Sequence, residues 1–388
     1  MHIAFLTPEY PHQLTGSSGG LGTSIKNLAS SLCEKGVEVS VILYGQESEM
    51  EFEDAGISFY FLRQKRYKIG GWFFYRKYIK KSINNLIRKK NIDVIEAPDW
   101  TGITALIDFK CSLVIRLHGT DAYFCELEGR QQKWKNRIFE KKALEAADFL
   151  ISVSRFTAEK TNEIFGINRE YEIIPNSIET RSFVPSDVEI VPGRILYFGT
   201  IIRKKGVLEL AEIFNKVIIQ RPESDLVLIG NDVIDNFDNR STFELFKNRL
   251  SKQAEEKMNY LGKVEYDKIK AYIQESAVVV LPSFAEALPM TWIEAMALEK
   301  ALVTSDIGWA EEVMVDGETG FTVDPKNYDA YADRIIKLLD DGELRRKMGS
   351  SARKRVIENF AAEKVVEKNI EFYKLVIEKS KALDLSKT

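Results

Sequence analysis

The sequence predicts an α/β protein built from two doubly wound, parallel-sheet domains. Three observations carry this. Short apolar runs recur with helix-length segments between them, the alternation lapses at a proline-bearing stretch and then restarts, and 388 residues at 45% hydrophobic content suffice for two cores. The lapse is Arg181 to Gly193, with Pro185 and Pro192 and no clear periodicity, so the domains are placed at 1–183 and 184–362.

The first domain opens with an apolar strand, His2 to Thr7, and a glycine-rich loop, Gly16-Ser17-Ser18-Gly19-Gly20-Leu21-Gly22. A helix follows, ending near Lys35-Gly36, and then a second strand, Val37 to Tyr44. The glycines do not fit G-x-G-x-x-G and no acidic residue closes the second strand, which disfavours a dinucleotide. Residues without Cβ at a helix start still allow a ligand to approach the backbone amides, against the alternative of an ordinary βα loop. Further buried strands, Ile92 to Glu96 and Ser112 to Leu117, end in Ala97-Pro98-Asp99-Trp100 and His118-Gly119-Thr120-Asp121. Ligands in open α/β sheets bind beyond the carboxyl ends of strands, so His118 is a functional candidate while His2 and His12 are read as structural. Phe149 to Val153 and Glu172 to Ile174 continue the sheet.

Charge excludes some classes of partner. Fifty-five basic against fifty-eight acidic side chains leave a net −3, which gives no reason to expect nucleic acid. Between Arg63 and Lys90, however, there are eleven Lys or Arg and no Asp or Glu, interleaved with Tyr67, Trp72, Phe73, Phe74, Tyr75 and Tyr78. Lys133-Trp134-Lys135-Asn136-Arg137 has the same character. Such segments form either a solvated basic face with aromatics packed inward, or a surface for an anionic membrane or a phosphate-bearing acceptor. Cys33, Cys111 and Cys125 are not spaced as C-x-x-C and suit a reducing compartment. With no signal peptide expected at the start and no apolar run approaching a bilayer span, a cytoplasmic location, or a peripheral one at the inner membrane face, follows as the expectation.

The second domain restarts with a strand, Arg194 to Phe198, followed by Gly199-Thr200-Ile201-Ile202-Arg203-Lys204-Lys205-Gly206 and a helix from Val207. Three consecutive cations there predict a pyrophosphate clamp, with a surface charge run as the alternative. Strands follow at Leu226 to Gly230, Asn259 to Gly262, Ala277 to Leu281 and Ala301 to Ser305. The run Ala277 to Leu281 leads through Pro282-Ser283-Phe284-Ala285-Glu286-Ala287-Leu288-Pro289-Met290 into a helix with Pro289 in its first turn and Glu294 on the early turns. Two carboxylates therefore face one crevice. From Asn327 to about Ser380 the chain reads as helical.

In this order and spacing, Gly19-Gly20-Leu21-Gly22, His118-Gly119, Gly199 to Gly206, Glu286 with Glu294, and Asp316-Gly317-Glu318-Thr319-Gly320-Phe321 resemble glycosyltransferase family 4 over nearly the full chain. The resemblance implies the GT-B fold, two Rossmann-like domains facing across a cleft, with a final helix from about 363 to 388 returning to the first domain. It implies that His118 bonds the transferred sugar, Lys205 holds the nucleotide diphosphate, and Glu286 with the backbone of the Ala287, Leu288, Pro289 and Met290 segment binds the donor sugar. Glu294 would accept from the ribose, Gly20 and Gly22 would approach the donor, and Arg203 or Lys204 would add charge. Asp99 and Trp100 would line the acceptor side.

The chain departs from the family pattern at Thr200, where arginine is frequent, at Ala287 and at Trp309, whose ring is expected to narrow the sugar pocket or stack on it. The activity implied is retaining transfer from a UDP- or GDP-linked sugar to a hydroxyl acceptor such as a sugar or lipid-linked glycan, with no cofactor beyond the nucleotide sugar. The sequence has no Asp-x-Asp, and a metal is not expected. Rival readings are an epimerase or phosphorylase on the same scaffold and a non-catalytic nucleotide-sugar binder.

Overall fold

The computed structural model of the chain describes residues 1–15 and 18–385, with side chains to 382; Gly16 and Ser17 of the glycine-rich loop lie outside the described residues. The chain forms two compact units, Met1–Ile178 with Ala362–Thr388, and Glu179–Ala361.

The first unit is an eight-stranded sheet. In chain order its strands are β1 (His2–Thr7), β2 (Glu38–Gln46), β3 (Met50–Asp54), β4 (Ile57–Arg63), β5 (Val94–Pro98), β6 (Ser112–Leu117), β7 (Phe149–Ser152) and β8 (Glu172–Ile173). Their spatial order is β3-β4-β2-β1-β5-β6-β7-β8, and every pair is parallel except β3 with β4. β1, β5 and β6 are buried along their whole length, as expected for strands covered on both faces. The helix Gly20–Glu34 covers one face through Ile25, Leu28, Ala29 and Leu32, and the helix Gly71–Lys90 covers the other through Tyr75, Ile79, Ile83 and Ile87, a four-residue spacing that lines one stripe.

Sequence reading assigned no element between Tyr44 and Arg63. The structure places the β3–β4 hairpin there, with Phe52 stacked on Phe59 at 4.8 Å and β4 in parallel register with β2. The run Ile57-Ser58-Phe59-Tyr60-Phe61-Leu62 is rich in strand-forming residues, so the signal was present.

The final helix, Ala362–Leu385, packs on the first unit beside Gly20–Glu34, inserting Val365, Val366, Tyr373 and Val376 into its core. A buried polar network anchors it. Arg116 on β6 donates two bonds to Glu96 on β5, at 2.7 and 3.0 Å, and a third to Asn369 at 2.5 Å, while the Tyr373 hydroxyl donates to Glu96 at 2.7 Å. The pair is fully desolvated, so loss of either partner would strand a charge in the core.

The second unit has six parallel strands: β9 (Arg194–Phe198), β10 (Asp225–Ile229), β11 (Met258–Tyr260), β12 (Val278–Leu281), β13 (Leu302–Thr304) and β14 (Gly320–Thr322). Their order is β11-β10-β9-β12-β13-β14. Counting from β9 this is 3-2-1-4-5-6, which reverses direction between β9 and β12. The expected helical tail resolves into Tyr328–Asp340 and Gly342–Asn359, which belong to this unit, and the final helix, which does not. Among the described residues no helix is long and apolar enough to cross a membrane.

Candidate functional site

The order reversal between β9 and β12 is where open α/β sheets bind ligands, at the carboxyl ends of the strands. Of the sequence-predicted residues, Arg203–Lys205 follow β9 while Glu286–Met290 and Glu294 follow β12; Gly20 and Gly22 lie in the first unit. Arg203–Lys205 form a single 3-10 turn closed by Gly206 at φ +70°. A Cβ on Gly206 would lie 1.9 Å from the Pro282 carbonyl oxygen, so only glycine lets this turn rest against the loop after β12. The Phe284 amide donates to the Lys204 carbonyl at 2.7 Å and fixes the same contact. As a result the Lys205 ammonium forms an ion pair with Glu286, although 81 residues separate them.

Glu294 lies on the helix Met290–Ala297, buried, and accepts from the Tyr266 hydroxyl at 2.6 Å. Burial pushes its pKa up to about 7, against the Tyr266 bond and the charges of Lys205 and Lys270, which pull it down. Ala287 and Leu288 are buried, and Pro289 takes the N-cap place rather than the first turn predicted for it. At that position its missing N–H costs no helical hydrogen bond.

Arg203 is committed elsewhere. It donates to Asp235 at 2.8 and 3.0 Å and to Asp238 at 2.5 Å, and Asp235 is itself buried and accepts the amides of Phe237 and Asp238. Its charge is thus spent on holding the 235–238 loop against the cationic turn. Trp309 is wholly buried.

In the first unit the equivalent reversal lies between β1 and β5. The helix after β1 begins at Gly20, and its start is occupied from within: Glu9 accepts the amide of Gly19 at 3.2 Å and that of Gly22 at 2.9 Å. A Cβ on Gly22 would collide with the Ser18 hydroxyl at 1.9 Å, whereas one on Gly20 would meet nothing within 4 Å.

Beyond β5 and β6, Asp99 is buried, and its Oδ1 accepts the His118 amide at 3.1 Å. Its Oδ2 has no hydrogen-bond partner, and burial, aided by the nearby Glu140 charge, pushes the carboxyl up to about 8. Of the predicted pair Asp99 and Trp100, only Trp100 is exposed. His118 is half-buried at the end of β6, and burial together with the Arg116 guanidinium drives its pKa down to about 3, so the imidazole is neutral and can both donate and accept. It also borders a cavity of about 10 Å³ lined by Glu96, Arg116, Asn176 and Asn369, room for about one water and too small for a sugar.

Two matches to protein families meet on this chain. The family described as glycosyl transferases group 1 matches residues 191–355, and glycosyltransferase family 4 matches residues 18–182. The chain belongs to the group 1 glycosyltransferases. An N-acetyl-alpha-D-glucosaminyl L-malate synthase from Bacillus anthracis is 24% identical to this glycosyltransferase over 367 residues, covering 90% of this chain and 92% of that one. Among solved structures, sucrose-phosphate synthase from Thermosynechococcus elongatus superposes with a TM-score of 0.81 at 20% identity, over 97% of this chain and 99% of that chain. HepE from Anabaena, solved in complex with UDP-glucose, does so with a TM-score of 0.74 at 18% identity, over 96% and 99%. At such identities the superpositions establish the GT-B fold of the glycosyltransferase and leave its substrates to its own residues.

Sequence reasoning missed three residues of this glycosyltransferase. Tyr266 on Glu294 and Asp235 on Arg203 are set by tertiary contact and carry no local signature. Glu140, fully buried, accepts amides from Thr101, Asp121 and Ala122 at 3.0 to 3.2 Å and so ties together the loops after β5 and β6. Its signal would have been a carboxylate on the apolar stripe of a helix, between Phe139 and Ala143. Among the described residues no group of three or more His, Cys, Asp or Glu could hold a metal ion.

Proposed function

We propose that this group 1 glycosyltransferase moves a sugar from a nucleotide diphosphate sugar, UDP- or GDP-linked, to a hydroxyl acceptor in glycoconjugate synthesis, with retention and without a metal. The observation that carries this reading is the convergence of Lys205, Glu286 and Glu294 at the order reversal of the second unit. Lys205 and Glu286 form an ion pair. A donor offers a partner to each: its diphosphate takes the ammonium, and its sugar hydroxyls donate to the carboxylate. Glu294 then accepts from the ribose hydroxyls in place of Tyr266. That HepE was solved with UDP-glucose supports a nucleotide sugar as the donor.

In this reading the work of Lys205 is to stabilise charge on the departing diphosphate, and no proton need pass through it. The bond from the anomeric carbon to the diphosphate breaks, the acceptor oxygen bonds to the same face, and the acceptor proton leaves on the departing phosphate. His118, neutral at working pH, hydrogen-bonds the transferred sugar, and Trp100 is available to an acceptor. Both carboxylates act as hydroxyl binders rather than as the acid and nucleophile pair of a retaining glycosidase, because Glu286 is ion-paired and Glu294 is buried against Tyr266. Three unpaired cysteines are compatible with the cytoplasm as the site of action.

The test begins with a thermal-shift screen of nucleotide sugars, in which the true donor gives the largest rise in Tm. With that donor, Lys205→Ala and Glu286→Ala should each lower kcat by at least about tenfold while leaving the fold intact. Rates near wild type for both would remove the assignment. Chelator should leave turnover unchanged, and anomeric NMR of the first product should show the donor configuration. Loss of activity restored by Mg²⁺ or Mn²⁺, or an inverted product, would overturn those two parts of the proposal.

A further inference from the structure

The two basic–aromatic clusters, at 67–77 and 133–138, are some sixty residues apart in the chain, yet the structure joins them into one surface. Trp72, in the first turn of the helix Gly71–Lys90, lies 5.2 Å from Phe139 on the helix Trp134–Ala146, and the Arg76 guanidinium sits 4.1 Å over the same ring. Ring contacts continue outward, Trp72 to Phe73 at 5.9 Å, Phe73 to Phe74 at 5.5 Å and Phe74 to Tyr67 at 5.5 Å.

The sequence left open whether these aromatics pack inward or outward, and they divide. Tyr75 is buried and Tyr78 is half-buried, donating to Glu49, whereas Trp72, Phe73 and Phe74 are 48%, 49% and 45% exposed. Trp134 is 67% exposed, Ile69 85%, and Ile138 stands one helical turn beyond Trp134 on the same side. Exposed large apolar side chains grouped on one water-facing surface mark an interaction site.

The charges divide less cleanly: Lys65 beside the patch pairs with Glu49, and Lys81 and Arg88 farther along the helix are exposed with no ion pair among the described residues. Farther along the first helix, Lys80 is paired with Asp108, and Lys89 and Lys90 with Glu51. Around the aromatic patch, Arg66, Lys68, Lys77, Lys133 and Lys135 are exposed and have no ion-pair partner among the described residues. Lysine is depleted in protein–protein interfaces, so the rim does not favour a protein partner. Indole and phenyl rings ringed by unpaired cations match the interface of an anionic bilayer, where rings enter the headgroup layer and ammonium groups meet lipid phosphates.

We infer that this face of the first unit docks on an anionic lipid surface, holding the enzyme as a peripheral protein with Trp72, Phe73 and Trp134 in the headgroup layer. The inference does not depend on the donor-site assignment.

The test is co-sedimentation of the full chain with phosphatidylglycerol–phosphatidylcholine vesicles against pure phosphatidylcholine. The expected result is binding to the anionic vesicles only, weakened by added salt. The triple variant W72S/F73S/W134S should partition at least about tenfold less, with an unchanged Tm because the three rings are exposed. The charge variant K68E/K135E, which leaves the rings in place, should lose anionic selectivity. Three results would overturn the inference: a wild-type chain that stays in the supernatant, a triple variant that binds as well as wild type, or a wild-type dimer in sedimentation velocity that the triple variant dissociates, which would give the patch to a second copy.

Discussion

The two units solve the same topological problem with opposite chemistry. Each sheet reverses its strand order once, and each has a glycine-bearing loop after the strand on one side of the reversal. In the second unit the reversal gathers charged groups: a lysine ion-paired with a glutamate, and a second glutamate held by a tyrosine. In the first unit the corresponding groups are bound to backbone amides or held neutral. Glu9 accepts the amides at the start of the helix, the switch-point carboxyl Asp99 is buried and accepts the backbone amide of His118, and the His118 ring is neutral. The fold supplies two strand-order reversals, and the loops that follow decide which charged groups each one carries.

The largest expected effect comes from removing what brings the second crevice together. Gly206→Ala places a Cβ 1.9 Å from the Pro282 oxygen at φ +70°, so the cationic turn must separate from the Glu286 loop. Stability should fall by about 3 kcal/mol, read as a lower urea midpoint, and binding of the donor should be lost with it. A variant with unchanged midpoint and affinity would show that the contact is not what assembles the site.

Asp99 tests the other side of the comparison. Its carboxyl is raised from the ordinary 3.8 to about 8, so its contribution to stability is fully present below the unfolded value and is lost as pH rises through 8. Asp99→Asn should flatten that part of the pH–stability profile and gain on wild type above pH 8, while keeping an oxygen for the His118 amide. Asp99→Ala removes the oxygen as well, and should reduce turnover about tenfold where the asparagine variant does not. Equal turnover in the two variants would mean that the Asp99–His118 bond positions nothing.

The smallest effect concerns Glu294, raised from 4.5 to about 7. Ribose hydroxyls donate more strongly to the ionised form than to the neutral acid, so binding of the nucleotide should lower this pKa and release a fraction of a proton near pH 7. Calorimetry in two buffers of different ionisation enthalpy measures that fraction, and Glu294→Gln should abolish it. Proton uptake on binding would contradict the assigned role.

Much of the fold was legible because buried parallel strands leave continuous apolar runs, and the glycines and prolines between them mark turns by their own backbone chemistry. His118, Lys205, Glu286 and Glu294 stood out for a related reason: each follows such a run by a short, countable distance. The β3–β4 hairpin escaped because it departs from the strand–helix alternation that organised the reading. Glu140, Asp235 and Tyr266 escaped because a carboxylate or phenol is a site residue only by virtue of what it meets, and what they meet is 18 to 39 residues away in the chain.

The sequence by itself determined two doubly wound units, the places where their strands end, and the charge carried by each loop, since these depend on local periodicity and residue type. Tertiary structure alone decided that Arg203 is bound to Asp235 while Lys205 faces Glu286, that Asp99 lies under His118, and that Trp72 meets Phe139. Those outcomes depend on distances of a few ångströms between segments far apart in the chain, and no local pattern encodes them.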